Sequence, residues 1–350
     1  MRNKCSKDLN CVINILSIDG GGIRGVLPAE ILIYVEKKLS ELYKKDIKLS
    51  DHFDYVAGTS TGGILGALYC FPDENGKPKY SAKEASDLYM DYGSHIFKKE
   101  FRWFYTFNGL FGPRYRPNNI ESLFETYFKD IRIKNATSDF MLPSIDTTQR
   151  DMYFFKSYKA ELNEPHNIMF REAVRSTSAA PTYFRPNHLI IDGVDRSLID
   201  GGMGVNNPTV SAYIEAKKIY TNVEKINVLS IGTGPLEMPF LYKVAKKWGV
   251  LSASKIFDIN LNSMSDAVDH QMNTLYEKGD LVGEYLRINP KLIEGTSTKM
   301  DGASKKNLQM LKKSGKKSLK ENKDKIDDFL NKTVLEKIIL DKLNKKNKKG

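Results

Sequence analysis

The sequence predicts an α/β fold, a three-layer arrangement with a mostly parallel sheet and helices on both faces. Two observations carry this. Short β-rich apolar runs recur, as in VINILSI (12–18), FDYVA (53–57) and INVLSI (226–231), and stretches with helical spacing separate them. Strands that alternate with helices are joined by crossovers, which leave the strands parallel and covered. A third observation sets the domain count: no repeat of fixed period and no Pro/Ser-rich linker divides the body before a Lys-rich C-terminus. One domain over 10–300 with a helical tail over 303–350 is therefore expected.

The elements follow in order. Residues 12–18 read as a buried strand. Over 26–45, Leu27, Ile31, Val35, Leu39 and Leu42 fall at helical spacing, with Pro28 in the tolerated first turn. FDYVA is a second strand, and TGGILGALYC (61–70) is a small-residue helix able to pack closely on a sheet. SAKE (81–84) has capping-box spacing and opens another helix. Later strands are expected near 139–145, 151–157, 188–192, 196–200 and 226–231, with a helix near 207–219. Asp192-Gly193 fits a hairpin turn between two short strands.

Composition narrows the function classes. At 350 residues, 41% hydrophobic and 11% aromatic, the chain supports a large core and is not a disordered one. Cys5, Cys11 and Cys70 make no disulfide framework, and their odd number fits a reducing compartment. No run of about 18 apolar residues suggests a transmembrane helix. The basic N-terminus leads into an apolar stretch broken by Asn14 and Ser17, which reads as a first strand and not a signal peptide. A cytoplasmic protein, in contact with membranes only at their periphery, is the expectation. The net charge of +11 is concentrated: residues 303–350 hold 16 Lys and 6 acids. The nearly neutral body is poor evidence for a nucleic-acid groove.

Three glycine-rich stretches could carry chemistry. DGGGIRG (19–25) lies between a strand and a helix, and Gly20, Gly22 and Gly25 formally satisfy G-x-G-x-x-G. A dinucleotide site also needs an acid closing a second strand, and Asp46, Asp51 and Asp54 do not fill that place. The same backbone N–H groups at a helix N-terminus suit the oxyanion of acyl transfer, with Arg24 adding positive charge. A plain strand-to-helix turn hardly needs three glycines. GTSTG (58–62) has the strand-before, helix-after context of a nucleophile elbow centred on Ser60, where Gly58 and Gly62 keep the turn clear. LIDGG (198–202), followed by NNP (206–208), places Asp200 at a strand end before paired glycines, where its carboxylate can point into a shared cleft; a plain Asp-Gly turn fits the nearby IIDGV better.

A serine nucleophile needs a proton acceptor. His52, His95, His166 and His188 lie in polar or turn-like surroundings, and only His270 follows Asp200 in the order Ser, Asp, His. His270 lies in a helix-like stretch, where a lone histidine is more often a surface residue. The alternative is a carboxylate base whose weak basicity, from a pKa of about 3.9, is raised by burial.

Taken together, DGGGIRG, GTSTGG and DGG, with FDYVAGTSTGG, TSAAPTYF and LIDGGMGVNNP, resemble the patatin-like phospholipases, which include plant patatins and bacterial relatives. The resemblance spans residues 12 to 235. It implies a phospholipase A-type lipid acyl hydrolase with a Ser60–Asp200 dyad, no catalytic histidine, and a membrane lipid or lipid-like ester as substrate. Gly20, Gly21 and Gly22, with Arg24, would form the oxyanion hole. No metal or cofactor is implied, since neither H-E-x-x-H nor a calcium-loop pattern occurs. The other readings are a triad serine esterase using His270 and a non-catalytic nucleotide-binding or scaffold protein. An intact Ser60 and Asp200 in one chain weigh against the last.

Two regions bear on how a lipid would be met. FRWFYTFNGLFGPRY (101–115) holds seven aromatics and reads either as a lipid-meeting flap or as a buried insertion. The tail carries an apolar stripe through Ile326, Phe329, Leu330, Val334, Ile338 and Leu343. A docked terminal helix is the simpler reading; its lysines would also suit peripheral contact with an anionic membrane.

Overall fold

The computed structural model describes residues 11–98, 112–235, 239–249 and 252–347. Its main elements in chain order are β1 (Cys11–Ile18), α1 (Val26–Tyr43), β2 (Tyr55–Gly58), α2 (Thr61–Tyr69), α3 (Ala82–Ile96), α4 (Asn118–Phe128), β3 (Asp139–Asp146) and β4 (Asp151–Lys156). They continue with α5 (Phe170–Thr177), β5 (Asn187–Ile191), β6 (Val194–Asp200), α6 (Thr209–Ile219), β7 (Val223–Ile231), α7 (Ala253–Glu277), β8 (Tyr285–Ile288) and α8 (Lys305–Asn347).

One sheet runs β5-β6-β3-β2-β1-β7-β8, with β4 paired to β3. Contacts among β3, β2, β1, β7 and β8 are parallel, and β4, β5 and β6 join antiparallel. Side chains alternate between two cores, as the two-residue period of a strand requires. Leu16, Ile18, Val56, Phe140, Leu142 and Leu229 enter the core under α1, α2, α3, α5 and α8. Ile13, Ile15, Tyr55, Ala57, Met141 and Val228 enter the other, under α6 and α7. Strands buried on both faces read as continuous apolar runs, which is why β1 and β7 stand out in the sequence.

Local chemistry fixes the ends. The Ser81 hydroxyl accepts the Glu84 N–H while the Glu84 carboxylate accepts the Ser81 N–H, closing the capping box of α3. Asp192 and Gly193, at φ 54° and 71°, form the hairpin turn between β5 and β6. The short strand β8 and the helices α4 and α5 have no counterpart in the sequence reading. Cys70 is buried. Residues 101–111 of the aromatic stretch lie outside the described residues; Tyr115 is buried against Phe97 and Phe184.

The Lys-rich tail is one helix of 43 residues, α8, about 65 Å long at 1.5 Å per residue. Leu308, Leu311, Ile326, Phe329, Leu330 and Val334 are buried, each worth about 1.5–3 kcal/mol. A Cβ at Gly315 would come within about 3 Å of α1 at Glu30 and Leu27, so this glycine permits the close crossing. Near the far end, Lys337 Nζ meets Asp54 Oδ1 at 2.8 Å, at the N-terminal end of β2. No helix among the described residues is long and apolar enough to cross a membrane.

Candidate active site

The site forms where two strands end on a shared edge of β3. Met141 pairs with Ala57 on one side and Lys156 on the other, and Ser144 pairs with Asp200 and Tyr153. Strand β4 thus takes one edge of β3, while β2 and β6 share the other end to end. Because β2 runs parallel and β6 antiparallel to β3, both C-termini point at the junction beside Pro143. Ser60 and Asp200 leave the sheet there.

Ser60 has φ 53° and ψ −117°. This is a strained conformation for a residue with a side chain. The Ser60 N–H donates to Thr177 Oγ1 at 3.1 Å, and the Thr177 hydroxyl donates to the Pro143 carbonyl at 2.5 Å. A Cβ on Gly58 would lie 2.1 Å from the Gly62 carbonyl oxygen, and one on Gly62 would lie 2.2 Å from that of Ile18. Both flanking glycines are therefore required by backbone approach.

Asp200 is 4% exposed. Its Oδ1 accepts the Gly202 N–H at 2.7 Å. Burial pushes its carboxyl up to about 6, while the neighbouring Ser60 side chain and the Gly202 N–H oppose the rise.

The glycine loop faces this pair. The Gly20 N–H is engaged by the Asn206 carbonyl at 3.1 Å. Gly20 oxygen accepts from Thr233 Oγ1 at 2.5 Å. Gly21 and Gly22 also line the cavity, and among the described residues no acceptor meets their N–H groups. Arg24 does not line it. Its guanidinium donates to the carbonyls of Gly234 at 2.8 Å and Gly21 at 3.4 Å. Arg24 thus braces the loop from behind, and Gly20 has its donor engaged elsewhere. Two free amides remain of the four groups expected.

At the loop's root, Arg287 Nη1 meets Asp19 Oδ1 at 2.8 Å and Nη2 meets Oδ2 at 2.5 Å. These side chains are 7% and 4% exposed. Thr59 Oγ1 donates to the Val205 carbonyl at 2.7 Å, tying the elbow to the segment after Asp200.

The cavity and the open solvent at its mouth together take up about 710 Å³. Ile64, Ile96, Phe97, Phe184, Phe257 and Leu261 give it an apolar wall. None of the five histidines lines it. His52 is buried, with Nδ1 3.0 Å from the Tyr43 hydroxyl, and burial depresses its pKa. His166 lies 3.0 Å from the Tyr153 hydroxyl. His188 meets Asp195, and His95 and His270 are exposed on α3 and α7.

A family model described as patatin-like phospholipase matches residues 16–213, the range that holds the glycine loop, Ser60 and Asp200. The chain belongs to the patatin-like phospholipase family. Patatin-like protein 2 of Oryza sativa subsp. indica is 31% identical over 349 residues, covering 90% of this chain and 86% of that protein. Patatin-like protein 1 of Arabidopsis thaliana is 30% identical, covering 91% and 84%. Patatin-2-Kuras 3 of Solanum tuberosum is 31% identical, covering 88% and 84%. Membership in the patatin-like family supports lipid acyl hydrolysis as the general function.

Sequence reasoning gave no role to Thr177, Asn206, Thr233 or Arg287. Thr177 and Asn206 fall within TSAAPTYF and LIDGGMGVNNP, but nothing in those stretches says which backbone group each would meet; Thr233 and Arg287 reach the site from distant elements.

Proposed function

We propose that this patatin-like protein is a phospholipase A-type hydrolase that cleaves fatty acyl esters of membrane lipids through Ser60 and Asp200. The observation that carries the reading is a strained Ser60 that lines one apolar cavity together with the buried carboxylate of Asp200. Residues 10–300 would form the catalytic domain, and the helix of 303–350 would brace it.

Ser60 Oγ attacks the ester carbonyl carbon as its proton passes to Asp200. Negative charge grows on the carbonyl oxygen and is met by the N–H groups of Gly21 and Gly22. One such donor is worth roughly 10²–10³ in kcat. Asp200 gives the proton to the departing alkoxide, leaving acyl-Ser60 and an alcohol. Water then attacks the acyl carbon, with its proton taken by Asp200. The Ser60 Oγ–acyl bond breaks, Oγ regains the proton, and the fatty acid leaves. The apolar wall accepts the acyl chain and excludes water, which strengthens the electrostatic interactions inside.

A fluorophosphonate probe is expected to label the wild-type protein and leave Ser60→Ala unlabelled. Lipid mass spectrometry after incubation with mixed liposomes should show free fatty acid and lysolipid only with wild type. Labelling that survives the substitution would place the nucleophile elsewhere.

The pH dependence has a definite sign. The base must be ionised, and burial holds the Asp200 carboxyl near 6. Activity should therefore fall as pH drops through about 6, with kcat/KM on a soluble ester declining tenfold per unit below it. Such a limb reports the free enzyme's base. A profile that stays flat down to pH 4.5 would remove Asp200 from that role.

A further inference from the structure

The wall of the cavity has an outer side. Phe257 and Leu261 of α7 line the cavity, while Ile256 and Ile259 on the same turns are 52% and 41% exposed. A helix that faced only water there would be polar on its outer side. Next to it, Leu241, Tyr242 and Val244 are 66%, 79% and 47% exposed. The Phe240 ring packs on Trp248 at 5.1 Å, and Lys255 Nζ lies 5.8 Å from the Phe240 ring, which ties this segment to α7. Met203, beside cavity-lining Gly202, extends the apolar rim, and its carbonyl accepts from Asn260 Nδ2 at 3.3 Å.

The charge of this rim is one-sided. Residues 239–256 contain Lys243, Lys246, Lys247 and Lys255 and no acid. The next acid, Asp258, is half-buried and interacts with Arg24 behind the glycine loop. We propose that the rim formed by 239–249 and the first turns of α7 docks on an anionic lipid surface and seats the cavity mouth against it. This rests on the lipid-ester reading above.

Exposed apolar side chains interleaved with lysines fit the boundary between headgroups and acyl chains. A second copy of the chain fits poorly, because the same four lysines would face their own kind. The tail helix offers a rival surface through Leu335, Ile339 and Leu343, which are 58%, 48% and 51% exposed. That surface flanks Lys337 and Asp54, at the N-terminal ends of the strands. Ser60 and Asp200 stand at the C-terminal ends of β2 and β6, so a protein held by the tail's end would turn its cavity away from the lipid.

The test uses the full chain with vesicles of phosphatidylcholine alone or with one third phosphatidylserine. Wild type should sediment with the anionic vesicles at low salt and be released as salt rises. Two variants change only exposed rim residues: Leu241→Asp with Tyr242→Asp, and Lys243→Glu with Lys246→Glu and Lys247→Glu. Each lysine near such a surface contributes roughly fivefold in binding, so at least a tenfold loss is expected from the charge variant and a similar loss from the apolar one. Deletion of 344–350 should leave binding within twofold. Hydrolysis of a soluble short-chain ester should be unchanged in all three.

Unaltered vesicle binding in both rim variants would overturn the proposal, as would loss of binding on the tail deletion alone. A wild-type dimer that Leu241→Asp dissociates would also overturn it. Failure of the wild type to hydrolyse any ester, with rim-dependent binding intact, would instead sink the hydrolase reading and leave the docking surface standing.

Discussion

Asp200→Asn is expected to lower kcat on a soluble ester by roughly 10²–10⁴-fold, the usual contribution of a general base, and to approach the loss from Ser60→Ala. The side chains are nearly the same size, and an amide oxygen can still accept the Gly202 N–H that Asp200 Oδ1 accepts at 2.7 Å. The fold should therefore survive, and the missing property is the affinity for a proton. The two variants should fail together because members of one catalytic unit are not additive. His270→Ala supplies the contrast. His270 is exposed on α7 and away from the cavity wall, so its loss should change kcat by less than twofold. A thousandfold loss in a folded His270→Ala protein would return the base to an imidazole and leave Asp200 as its orienting partner.

Arg287→Ala should cost about 3–5 kcal/mol of stability, because it leaves a buried charge without its counter-ion. Asp19 and Arg287 meet through two hydrogen bonds, and Arg287 Nη1 also reaches Ser230 Oγ at 2.8 Å. Their side chains are almost inaccessible to solvent, so water cannot replace the lost partner. Set against a total stability of about 5–15 kcal/mol, this is a large fraction. For a protein of this size it corresponds to a fall of roughly 10 °C in Tm, measured by thermal denaturation. Asp19→Leu combined with Arg287→Met should recover most of the fall, since an apolar pair of similar volume needs no counter-ion. A drop of under 2 °C in Arg287→Ala would show that the pair contributes little.

Much of this architecture is legible in the sequence, for physical reasons that also mark the limits. Strand β1 and the later part of β7 are buried on both faces and so appear as apolar runs interrupted only by Asn14, Ser17, Asn227 and Ser230. Ser60 is legible because a strained turn with close backbone contact demands Gly58 and Gly62 at fixed spacing. Asp200 is legible because its strand ends in paired glycines. The division of labour in the glycine loop is not legible. Whether Gly20 or Gly22 has a free N–H depends on the Asn206 carbonyl, and whether Arg24 faces the cavity depends on the Gly234 carbonyl. Both partners come from elsewhere in the chain. Helix α5 was missed in the same way: its Thr177 matters because it touches Pro143 and Ser60 across the fold.

The shared edge of β3 has a mechanical consequence. Ser60 is anchored to the Pro143 carbonyl through Thr177, and Asp200 is anchored to Ser144 one residue along. A thermal tilt or slide of β3 therefore carries both groups in the same direction. Their separation fluctuates less than the position of either, as two pointers fixed to one rod keep their gap while the rod swings. In the proposed dyad, the distance between the two groups would be insulated from breathing of the outer strands and from changes of length in the chain between them.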